Sequence, residues 1–114
     1  MSMGVSLMFS VEGNIINVTK GDTGVINLAL DNYKLQEGDK VTLTVKQNIN
    51  DSVYVLQKIV TEFEDGAAKI MLSSSDTNIE PIKYVYDIQV DLADGRVQTV
   101  VIPSTFKVLK GVTD

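Results

Sequence analysis

The chain contains no cysteine, no histidine and no tryptophan, and only two prolines among its 114 residues. Without cysteine there is no disulfide framework and no thiolate metal site, so stability has to come from packing, which suits a reducing cytosol. Without histidine the commonest general base and the commonest zinc ligand are missing, and without tryptophan so is the strongest ring for stacking on sugars. No apolar run approaches the roughly 20 residues of a membrane helix. The apolar start, "MSMGVSLMF", has neither the basic lead nor the cleavage pattern of a signal peptide, and Ser2 departs from the myristoylation pattern. The expectation is a soluble chain with no membrane partner. A formal net charge of −5 opposes attraction to phosphate backbones, so no nucleic-acid partner is expected either.

What is present is alternation. Apolar residues make up 44% of the sequence, enough for a packed core, and the length suits a single domain spanning residues 1–114. Val41, Leu43 and Val45 alternate with Thr42, Thr44 and Lys46, and Ile26, Leu28 and Leu30 with Val25, Asn27 and Ala29. This period of two belongs to strands with one apolar face. The runs are punctuated by turn chemistry at "KGDTG" (20–24), "QEGDK" (36–40), "FEDGA" (63–67) and "LADGR" (92–96). Strands are expected near 8–12, 15–19, 24–31, 40–47, 53–63, 67–73, 83–92, 96–102 and 105–109. Many short strands at this spacing make a sandwich or a barrel. One segment departs from the pattern. "SSSDTNIEP" offers Ser and Asp N-caps, a Thr77-x-x-Glu80 capping-box match and Pro81 as a stop, so it predicts a single helical turn near 75–80.

The two Asp-Gly dipeptides set expected registers. A two-residue loop at Asp65-Gly66 pairs Phe63 with Ala68, Thr61 with Ile70 and Ile59 with Leu72, with the apolar set on one face. The same loop at Asp94-Gly95 sets Val90 opposite Thr99 and Ile88 opposite Val101. Tyr86, Ile88, Val90, Leu92, Val97 and Val101 then face inward, and Val85, Val100 and Ile102 face outward. A three-residue loop with Gly95 left-handed would shift that register.

Several stretches invite a chemical reading. "KGDTG" leads into a strand instead of the helix a Walker loop requires, so it reads as a tight turn with a glycine of positive φ on either side. Glu62, Glu64 and Asp65, and again Asp87, Asp91 and Asp94, raise the question of calcium. "DLADG" lacks the rhythm of a calcium loop, and the groups read as solvated strand faces and edge protection. No metal ligand, cofactor-binding residue or catalytic residue is assigned, and no small-molecule substrate is expected. Asn17-Val18-Thr19 and Asn50-Asp51-Ser52 match the glycosylation pattern only by chance in a chain without a secretion signal. Of the tyrosines, Tyr86 belongs to the core, and Tyr84 follows a corner, where a hydroxyl often ties to nearby backbone. The outward apolar residues Val85, Val100 and Ile102 on one hairpin, with Val60 and Met71 on the other, would mark a subunit-docking face if clustered.

Taken in order, "VEGNIINVTKGDTGVINLAL", "GDKVTLTVKQ", "SSSDTNIEPIKYVYDIQVDLADGRVQTVV" and "TFKVLKGVTD" resemble the N-terminal domain family of phage baseplate upper proteins, from about Met8 to Asp114. The resemblance implies an all-β, immunoglobulin-like antiparallel β-sandwich of about seven to nine strands. It also implies a non-enzymatic virion protein of the tail or baseplate, made in the bacterial host cytoplasm. Its partners would be other tail or baseplate proteins, and copies of itself in a homo-oligomer. In that family a helical or fibre-forming region usually follows, whereas this sequence closes at "KGVTD". A second class of reading is a sandwich module that recognises carbohydrate or calcium.

Overall fold

The computed structural model describes residues 2–5, 9–12, 15–30 and 33–111. The expected strand ends at Met8 and Asp31 lie outside them. Among the described residues nine strands are formed: β1 (Ser2–Val5), β2 (Phe9–Glu12), β3 (Ile15–Thr19), β4 (Gly24–Ala29), β5 (Lys40–Lys46), β6 (Leu56–Val60), β7 (Ala68–Leu72), β8 (Lys83–Asp91) and β9 (Val97–Leu109). A single helical turn, α1 (Ser74–Thr77), joins β7 to β8. The strands make a three-stranded sheet in the order β1-β4-β7 and a six-stranded sheet in the order β2-β3-β9-β8-β5-β6. The series β9-β8-β5-β6 facing β4-β7 is the strand order of an immunoglobulin-type sandwich.

Alternation decides which side chains enter the space between the sheets. Ile26 and Leu28 of β4 and Ala68, Ile70 and Leu72 of β7 meet Val41, Leu43 and Val45 of β5 and Tyr86, Ile88 and Val90 of β8, all buried in one apolar cluster. Each fully buried aliphatic side chain there contributes about 1.5–3 kcal/mol relative to exposure. The Tyr86 and Phe106 rings meet edge to face, 6.1 Å apart at an interplanar angle of 71°.

Three expectations about strand pairing and register are corrected. First, the sandwich is not wholly antiparallel, because β3 runs parallel to β9, with Ile16 opposite Phe106. Second, the turn at Asp65-Gly66 has the expected two-residue form, with Asp65 at φ 54°, Gly66 at φ 77° and Glu64 paired to Ala67. The hairpin it was expected to close does not form, since β6 pairs with β5 and β7 with β4. The chain uses this turn to cross from one sheet to the other. As a result Ile59, expected in the core, pairs with Thr42 and is 55% exposed, while Val60, expected outside, packs against the core opposite Val41.

Third, the β8–β9 turn takes the three-residue form. Leu92 and Arg96 close a loop of Ala93, Asp94 and Gly95, the last at φ 97°. The register at the turn end shifts by one residue, so Val90 faces Gln98, and Val97 is 56% exposed instead of buried. Further along, a bulge returns Ile88 opposite Val101, which is buried as expected. A second irregularity lets β9 run through Pro103, so the two strands expected at 96–102 and 105–109 are one.

The helical turn forms one step earlier than predicted. Its capping box is Ser73 with Asp76 instead of Thr77 with Glu80. Thr77 is occupied elsewhere: its hydroxyl donates to the Asp22 carbonyl at 2.7 Å, and the Ser74 hydroxyl donates to the Gly21 carbonyl at 2.8 Å. These two bonds hold the "KGDTG" turn against α1. Of its two glycines only Gly21 has positive φ, and Gly24 begins β4. The expected tether of Tyr84 is present, its hydroxyl donating to the Glu80 carbonyl at 2.7 Å.

Candidate functional site

The five residues expected to form a docking face do not share one surface. Val60 and Val100 pack against the core, Val85 stands on the outer face of the large sheet, and Met71 is 65% exposed on the small sheet. The side chain of Ile102 lies outside the described residues.

Two other features stand out on the large sheet. One is its β6 edge. "QNINDS" between β5 and β6 folds into a turn in which the Asn48 N–H donates to the Asp51 carboxylate at 3.0 Å and the Asp51 N–H to the Asn48 carbonyl at 3.0 Å. That turn delays the strand expected from 53 until Leu56. Along this edge Val53, Val55 and Ile59 are 73%, 42% and 55% exposed. Lys58, in the same strand, reaches across to Asp76 of α1 at 3.0 Å. Burial pushes the Asp76 carboxyl up, but the Ser73 N–H and hydroxyl together with Lys58 outweigh it and hold the group below the ordinary carboxylate range.

The second feature is a groove of about 340 Å³ on the outer face of the same sheet. Its floor is a row of side chains set side by side by strand register, with Gln57 of β6 opposite Thr44 of β5 and Thr44 opposite Asp87 of β8. The Gln57 amide donates to the Thr44 hydroxyl at 3.2 Å. Ile49 and Tyr54 of the preceding loop and Pro103 of β9 form its apolar side. Burial pushes the Asp87 carboxyl above its ordinary range, and Lys46 opposes this only in part. Burial also pushes the neighbouring Tyr86 phenol up to about 12, so it stays neutral. The Tyr86 ring faces the core, so the groove offers a carboxylate, a carboxamide, a hydroxyl and the exposed phenol ring of Tyr54 toward one space. Sequence reading missed it because its residues come from four strands and a loop, and become neighbours only once the order β9-β8-β5-β6 is known.

A second polar cluster lies at the opposite end of β5. Asp39 is 1% exposed, and its carboxylate accepts from the Tyr33 hydroxyl at 2.7 Å, the Gln36 N–H at 3.0 Å and the Ala93 N–H at 2.9 Å. Burial pushes this carboxyl up, yet the three donors outweigh it and hold the group below its ordinary range. The cluster is a clamp joining the 33–39 loop to the β8–β9 turn. Among the described residues no group of three acidic side chains is placed to hold a metal ion.

No protein-family model, no curated protein and no solved structure matches this chain.

Proposed function

We propose that this chain is a non-enzymatic structural protein of a phage or prophage, an assembly and attachment module of the tail or baseplate that works through protein–protein contacts. The observation that carries the reading is the β6 edge, the end of the large sheet among the described residues, where Ile59 stands exposed on the strand and Val53 and Val55 on the loop leading into it. An apolar, unpaired edge is a template for another chain. The resemblance in motif order to baseplate upper proteins supports the same reading and supplies its setting, a virion tail assembled in a bacterial host. Edge-to-edge pairing of β6 with its copy is self-complementary, the geometry of a twofold homodimer.

Light scattering on the purified chain tests the contact. A dimer is expected, and Ile59→Lys, which puts a charge on the edge, is expected to convert it to monomer. A strict monomer at high concentration would remove the β6 contact between copies. The virion setting is tested by the genes flanking this one: tail-fibre, tape-measure and lysis genes are expected, and metabolic genes would overturn it.

A further inference from the structure

We propose that the groove on the outer face of the large sheet is a saccharide-binding site, beside the β6 edge and with Gln57 of that strand in its floor. A sugar ring presents hydroxyls around its rim and a C–H face on one side. The groove presents the matching halves: a polar floor of Gln57, Thr44 and Asp87, and an apolar side of Tyr54, Ile49 and Pro103. Its volume of about 340 Å³ lies within the range of small-molecule sites, roughly 300–1,000 Å³.

The state of the floor argues for a ligand rich in hydroxyl donors. Gln57 and Thr44 already satisfy each other in part. Asp87 is half-buried and accepts no hydrogen bond from the described residues, so a partly dehydrated carboxylate is left with acceptor capacity pointing into the groove. A carboxylate in that position takes two hydroxyls of a sugar through charge-assisted bonds, which are stronger than neutral ones. Tyr54, 51% exposed, supplies a ring with two rotatable bonds and a low ordering cost.

Other ligand classes fit less well. An anion would meet Asp87 with only Lys46 to offset it. A bare cation would lack convergent oxygens, since no acidic group of three is available among the described residues. A long apolar ligand would leave the floor unpaired, at a cost of about 1–3 kcal/mol for each stranded group. A neutral polyhydroxylated ring brings hydroxyls to the polar floor and a C–H face to the apolar side.

The test is a ¹⁵N NMR titration of the full chain with D-glucose, D-galactose, N-acetyl-D-glucosamine, L-rhamnose and cellobiose, with glycerol as the control polyol. Saturable shifts are expected for at least one sugar at the amides of Thr44, Tyr54, Gln57 and Asp87, with none at the distant 93–95 turn. Tyr54→Ala and Asp87→Asn should each weaken binding about tenfold, the loss of one strong contact. Gln57→Ala, on the edge strand, replaces Asp87→Asn should that variant not fold. The proposal is overturned if no sugar gives a saturable shift, if glycerol gives the same shifts, or if the substitutions leave binding unchanged.

Discussion

The molecule contains the dipeptide Asp-Gly twice, and it builds two different turns. At Asp65-Gly66 both residues take positive φ and the loop has two residues; at Asp94-Gly95 only the glycine does, and the loop has three. Local preference is the same in both places, so the surroundings decide. Ala93, which would close a two-residue loop, instead donates its N–H to Asp39 at 2.9 Å. The pairing therefore ends one residue earlier, at Leu92 and Arg96. Asp94 completes the loop by accepting from the Arg96 N–H at 3.0 Å and from its side chain at 2.8 Å. At the other turn the outside contact falls on Gly66, whose carbonyl accepts from the Leu35 N–H at 3.0 Å, leaving Glu64 and Ala67 free to pair. A turn's length is thus set by which of its backbone groups a distant segment claims.

Removing the claim on Ala93 is the strongest way to break this contrast. Asp39→Ala strands two backbone N–H groups and a tyrosine hydroxyl, and should cost about 3 kcal/mol in urea unfolding. NMR shifts should move at residues 92–96 and stay put at 64–67. The same carboxylate gives the contrast a pH dependence. Its folded pKa lies below its unfolded value, so the unfolded chain takes up the proton first as pH falls. The stability it contributes is present above about pH 4, the ordinary carboxylate value, and is lost as pH falls through the folded one. Wild type should therefore lose stability on acidification more steeply than Asp39→Asn, measured as urea midpoint against pH; equal slopes would remove Asp39 as the cause.

A smaller effect is expected at Gly38, which has φ 97° and sits so close to the three-residue loop that an added Cβ would lie 2.8 Å from the Ala93 Cβ. Gly38→Ala combines a left-handed conformation with that clash and should cost about 2 kcal/mol, read as a lowered urea midpoint. The smallest effect has the opposite sign. Asp65 holds φ 54° without being glycine, so Asp65→Gly should raise stability by about 0.5 kcal/mol, the relief of strain exceeding the added freedom of the unfolded chain. No comparable gain is expected for Asp94→Gly, because Asp94 is not at positive φ and its carboxylate is engaged by Arg96.

These turns also mark how far the sequence could be read. Alternation placed Ile26, Leu28, Val41, Leu43, Val45, Tyr86 and Ile88 correctly in the core, because each lies mid-strand where a period of two admits one answer. It failed for Ile59 and Val60. Their facing depends on which sheet β6 joins, and a tight turn does not say whether it closes a hairpin or crosses between sheets. It failed for Val97, where the carboxylate of Asp39, far off in sequence, reset the register. Tyr84 was legible because its partner lies four residues upstream. The groove was not, since Gln57, Thr44 and Asp87 are brought together only by the sheet.

The parallel pair β3 and β9 joins the third strand to the last, with Ile16 beside Phe106 and Thr19 beside Leu109. Closing so long a loop is slow and its entropic cost is met only when the intervening sheet is in place. On the ribosome, β3 would wait for its neighbour until translation had passed Leu109, with β4 to β8 already emerged. The outer strands β3 and β2 are therefore expected to be the last secured to the sheet, with the early chain holding a half-built sheet whose β9 position is still vacant.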